Sequence, residues 1–144
     1  MFCRLLTLVY AVSLVAGCAA LSPREGNFDA CLPGRECTVE GRLSLHAGQP
    51  PAWIAHLESG DQCAKLALPD EFYEDEEQRK SWSGIRVAAT GRAIAQPRFD
   101  ESDGTATLWY EEGDRKIAMG MCDHGAVIYV EVMRASSGMT WTSP

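Results

Sequence analysis

Thr38-Val39-Glu40-Gly41-Arg42-Leu43-Ser44-Leu45-His46 alternates without a break. Val39, Gly41, Leu43 and Leu45 share one face, and Glu40, Arg42, Ser44 and His46 share the other. A period of two is the signature of a half-buried strand, since successive side chains of an extended chain point to opposite sides. The same rhythm continues outward from this stretch. Gly48-Gln49-Pro50-Pro51 breaks it, residues 53–58 restart it, and Ser59-Gly60-Asp61 turns the chain into a third strand over 63–68. There Ala64, Leu66 and Leu68 oppose Cys63, Lys65 and Ala67. Residues 85–95 set Ile85, Val87, Ala89, Gly91 and Ala93 against Arg86, Ala88, Thr90 and Arg92. The chain is mainly β.

Between these strands lies one helical signal, over 70–82. Asp70 is placed to cap it, acids crowd its first turns, and Asp75–Arg79 and Glu76–Lys80 have favourable i,i+4 spacing. After a polar loop over 96–104, residues 105–110 and 116–121 form a hairpin around Glu112-Gly113-Asp114. The last strand spans 127–133, and 136–144 reads as a frayed tail. No internal repeat is present.

The chain has 144 residues, room for one domain. Hydrophobic residues make up 46%, which supports a packed core and excludes wholesale disorder. Thirteen Lys and Arg face twenty Asp and Glu, for a net charge of −7. That balance tells against nucleic acid, whose phosphates need a basic footprint. Arg86 and Arg92 share a strand face, with Arg42 nearby, but three spaced arginines read as mixed surface.

Met1-Phe2-Cys3-Arg4 is a short positive opening, and residues 5–15 are almost continuously apolar. That is the build of an export signal. The run ends in Leu14-Val15-Ala16-Gly17-Cys18, which resembles the lipobox of bacterial lipoproteins, with Val15 where that family most often has Leu. The resemblance implies diacylglycerol on the Cys18 thiol, cleavage after Gly17 and acylation (palmitate) of the new amine. Several acyl chains together anchor a protein stably where one would not. Ala19 after the acceptor implies the outer membrane, facing the periplasm. An ordinary secretory signal cut after Ala20 is the competing reading. Residues 1–17 then form the signal peptide, 18–30 a lipidated tether, 31–135 the barrel and 136–144 the tail. Loss of 1–17 removes Arg4 and no acid, so the mature chain carries −8.

Four cysteines remain: Cys31, Cys37, Cys63 and Cys122. In an oxidising compartment an even number reads as two disulfides, with three connectivities open. Zinc would need paired short spacings, which are missing.

Three strands, a short helix and further strands is the order of an OB-type Greek-key barrel. Val39-Glu40-Gly41-Arg42-Leu43, Gly84-Ile85-Arg86-Val87-Ala88-Ala89-Thr90-Gly91-Arg92 and Val127-Ile128-Tyr129-Val130-Glu131-Val132 look like the first, fourth and fifth strands of bacterial envelope proteins with that fold. The hairpin is then an insertion between strands four and five. An unrelated antiparallel barrel or sandwich is the rival architecture. The resemblance implies that strands three and five lie side by side and parallel, and hence the pairings Cys63–Cys122 and Cys31–Cys37.

Chemistry is sparse. There is no Gly-x-Ser-x-Gly elbow, and disulfides leave no cysteine for a Cys–His pair. His46 and His56 fall on outer strand positions and read as surface. Met119-Gly120-Met121-Cys122-Asp123-His124 holds soft donors suited to Cu(I), but Met119 and Met121 alternate with Ile117 as core residues do, and a bridged Cys122 is no ligand. OB folds bind oligosaccharides and oligonucleotides across strands two and three. Trp53 there shares its face with Ala55 and Leu57 and reads as core, which leaves Trp109 the better exposed ring. Asp70, Glu71, Glu74, Asp75, Glu76 and Glu77 form a solvated acidic row, not two carboxylates across a cleft. The expectation is a non-catalytic envelope module without metal or cofactor, docking a cationic protein through Glu74, Glu76, Glu77 and Trp109. The alternative is an inhibitor of a cationic cell-wall hydrolase such as lysozyme.

Overall fold

The structure is a computed structural model and describes residues 28–48, 50–96, 108–122 and 125–144. Strands β1 (Glu36–Ala47), β2 (Trp53–Ser59) and β3 (Gln62–Ala67) form a meander. Helices α1 (Asp70–Glu74) and α2 (Glu76–Trp82) lead to β4 (Arg86–Ile94). The hairpin β5 (Trp109–Glu112) and β6 (Arg115–Ala118) follows, then β7 (Ala126–Ala135) and β8 (Thr140–Thr142).

The main sheet runs β3-β2-β1-β4-β7-β8, and β3 pairs again with β7, which closes a five-stranded barrel. That closing seam is parallel, with Ala64 opposite Ala126 and Ala67 opposite Tyr129, while the other pairs are antiparallel. The fold is a small OB-like Greek-key barrel with an inserted hairpin. Gly91 allows it to curve: a Cβ there would meet the Tyr129 carbonyl oxygen at 2.0 Å, and the β4–β7 register shifts at Thr90/Gly91.

The inner face is the apolar half of each alternation. Val39, Leu43, Leu57, Val87, Ile128, Val130 and Met133 are buried there. Phe72 and Trp82 from the helices join the same core, and Trp141 of β8 stands edge-on to Phe72 at 5.4 Å. Both bridges implied by a parallel seam are present, Cys31–Cys37 with Cα atoms 5.6 Å apart and Cys63–Cys122 with 5.7 Å. The second ties the entry of β3 to the loop before β7.

Several expectations need correction. The helical segment is two helices, because the Asp75 carboxylate accepts from the Glu77 and Gln78 amides and starts a new one. Asp70 caps nothing; Pro69 holds the cap position of α1, and the Asp70 carboxylate takes the Lys116 ammonium instead. With Asp75 spent on capping, its i,i+4 pair with Arg79 does not form, whereas Glu76–Lys80 does at 2.6 Å. Residues 136–144 are no frayed tail: β8 pairs Thr142 with Val132, and Trp141 is half-buried on the core. Phe28 is buried in that core too, so the folded unit includes it rather than starting at Cys31. Strand β6 ends at Ala118, and Met121 is 42% exposed rather than a core residue. The lipobox with Cys18, the tether to residue 27, the loop at 97–104, residues 105–107 of the hairpin, Asp123 and His124 lie outside the described residues.

Candidate functional site

In OB folds the outer face of strands two and three receives ligands. Here the inserted hairpin packs on it. Lys65, pointing outward from β3, is 1% exposed and donates to the Ala118 carbonyl of β6 at 3.0 Å. Arg115 is 2% exposed. Its guanidinium donates to the carbonyls of Ala67 (2.9 Å) and Val130 (3.3 Å), to Ser143 Oγ (2.8 Å) and to Asp114 Oδ1 (3.0 Å). It lies 4.3 Å from the Tyr129 ring centroid. One side chain thus joins β6, β3, β7 and the segment after β8. Ala67, Ile94, Ile117 and Val127 form a second apolar cluster beneath the hairpin, flanked by Tyr110 and Tyr129.

Electrostatics follow this clasp. The Tyr129 hydroxyl donates to Asp114 and, with the Arg115 charge, holds the Asp114 carboxyl below its usual range; the same bond pushes the Tyr129 phenol up. Burial likewise raises Tyr73. His56 is fully buried, which corrects its reading as surface, whereas His46 is exposed as expected. The two rings stack at 5.4 Å, and His56 Nε2 lies 2.8 Å from Glu58 Oε1.

A groove of about 380 Å³ opens on the other side of β2, lined by Pro51, Trp53, Asp70, Tyr73, Glu74 and Arg79. The Trp53 and Tyr73 rings stack 5.5 Å apart and 5° from parallel, and the Arg79 guanidinium sits 4.7 Å from the Trp53 centroid. Trp53 is therefore half-buried, packed against the barrel core as expected while also walling the groove. The break at Asp75 shapes this site, because it ends α1 at Glu74 and redirects α2 so that Arg79 reaches Trp53. Asp70 is engaged with Lys116, and raises that ammonium's pKa. The Glu74 carboxylate and the Arg79 guanidinium make no ion pair or hydrogen bond among the described residues.

Of the residues singled out from sequence, Glu74, Glu76 and Glu77 are all exposed on the α1–α2 edge. Glu76 is tied to Lys80. Trp109 is half-buried at the start of β5, opposite Ala118, and is not among the groove residues. A larger cleft of about 650 Å³ lies at the disulfide end, walled by Phe28, Asp29, Gln62, Cys63, Gln96 and Cys122. Among the described residues no three His, Cys, Asp or Glu side chains converge as metal ligands, and Cys122 is spent in its bridge.

Sequence reasoning missed Lys65 and Arg115. A signal existed: Cys63 and Ala67 flank Lys65 on its own face, and small apolar neighbours are poor company for a solvated lysine.

The architecture and groove define a closed OB-like barrel whose usual ligand face is filled from within. No protein family, curated protein or solved structure matches the chain.

Proposed function

We propose that the protein is a lipid-anchored, non-catalytic module of a bacterial envelope that docks a cationic protein along its α1–α2 edge. One observation carries the reading: Glu74 and Glu77 stand exposed on that edge with no cation of their own among the described residues. Other acids nearby are committed, Asp70 to Lys116, Asp75 to capping and Glu76 to Lys80. Uncommitted carboxylates steer a basic partner, and that attraction fades as salt shortens the Debye length to about 8 Å near physiological strength. The mature charge of −8 disfavours a nucleic acid. Cys18 carries the lipid, and the ten residues from it to Phe28 reach about 35 Å when extended, which lets the barrel stand clear of an outer-membrane surface.

The test compares acylated wild type with Glu74→Lys/Glu76→Lys/Glu77→Lys. A basic envelope protein should associate several-fold more slowly with the variant at low salt. Equal capture by both chains refutes the docking reading, and detergent-requiring mature protein from Cys18→Ala refutes the anchor. Loss of lysozyme activity on adding wild type would move the reading to a hydrolase inhibitor.

A further inference from the structure

We infer that the groove beside Trp53 binds a zwitterionic amino-acid head, an ammonium and a carboxylate carried on one carbon. The inference goes beyond the docking reading and shares only Glu74 with it. Glu74 and Arg79 both line the groove, carry opposite charges and are not paired with each other or with any other ion among the described residues. The capped break at Asp75 separates them, since Glu74 ends α1 and Arg79 belongs to α2. Contact with the Trp53 ring steadies the guanidinium, and Trp53 is steadied by its parallel stack on Tyr73. The space, about 380 Å³, is within the range of small-molecule sites.

Charge complementarity selects the ligand. A carboxylate accepts two parallel bonds from a guanidinium, and an ammonium donates to a carboxylate. A ligand with both satisfies Arg79 and Glu74 together, while Pro51, Trp53 and Tyr73 supply apolar wall for its side chain. A simple cation would meet Arg79, and a simple anion would meet Glu74. A saccharide needs an open aromatic face, whereas Trp53 already stacks on Tyr73 and carries Arg79.

The full chain, labelled with 15N in its indoles, is titrated with leucine, leucine methyl ester, N-acetyl-leucine and a disaccharide. Leucine should shift the Trp53 indole resonance with a Kd on the order of 1 mM or tighter. The ester and the N-acetyl compound each lose one charge and should bind at least about tenfold more weakly, the loss of one charge-assisted contact. Arg79→Gln and Glu74→Gln should weaken leucine to the same degree with unchanged circular dichroism. A peptide bearing the same head on a diamino-acid side chain distinguishes the source: tighter binding than leucine assigns a peptide-borne head, weaker binding a free amino acid. The inference is overturned if either blocked form matches leucine, if the disaccharide binds instead, or if leucine leaves the resonance unmoved at 10 mM, about tenfold the expected Kd. Leucine binding and partner capture are separate readouts, so either reading can fail alone.

Discussion

The two faces of the β2-β3-β7 wall are both buried, by opposite chemistry. Inside, Leu57, Ala64, Leu66, Ile128 and Val130 pack on one another and on Phe72. Outside, the hairpin is held by a lysine and an arginine whose donors meet carbonyl oxygens. Apolar burial is non-directional and tolerates small shifts in how one layer sits on another. Buried cations do not, because each unmet donor costs far more than a misplaced methyl. The barrel therefore sets stability, and the clasp sets where the hairpin must lie.

Phe72→Ala is the heaviest test of this contrast. It removes a ring that touches Tyr73, Trp82 and Trp141 and should cost about 4 kcal/mol. The loss should appear as a single, cooperative fall in the denaturation midpoint that includes the hairpin. Arg115→Ala comes next, at about 3 kcal/mol, because its carbonyl and carboxylate partners lose a buried donor. Its signature is local: amide exchange should rise in β5, β6 and β8 while β1, β2 and β4 stay protected. Uniform loss of protection in that variant would erase the distinction between the faces.

The smallest effect is an acid one. Asp114 titrates below its unfolded value of about 3.9, so its share of the clasp is complete above that pH and is lost as pH falls through the lower folded value. Below about pH 4 hairpin exchange should therefore quicken ahead of barrel exchange. Asp114→Asn should flatten this dependence, and an unaltered acid profile would separate Asp114 from the clasp.

How much was legible follows the same division. Strand alternation in 38–46 and 85–95 reports a wall with one dry face; the parallel seam and the Cys63–Cys122 bridge followed only from the resemblance to OB-type barrels. Alternation also assigns every second residue to water, and that assumption failed at His56 and Lys65, where an insertion dried the outer face as well. Whether a distant hairpin covers a strand is a tertiary fact that local period cannot carry. Asp75 escaped for a different reason: an acid within an acidic row looks like another solvated charge, and only backbone geometry reveals it as a cap. The Trp53–Arg79 wall depended on that hidden break. The acids Glu74, Glu76 and Glu77 were read as exposed and are exposed, since nothing long-range acts on them.

The seam between β3 and β7 has a bearing on how such a chain assembles when it is delivered N-terminus first. Its partners sit some sixty residues apart, and β7 also supplies the other edge of β4. The meander β1-β2-β3 must wait as an open sheet, with an unclosed edge on β3, until residue 135 has arrived. Ser143 then completes the Arg115 shell last of all. Closure of this barrel is a late event in the life of the chain, and a pause or a cut before β7 leaves a sticky edge rather than a smaller barrel.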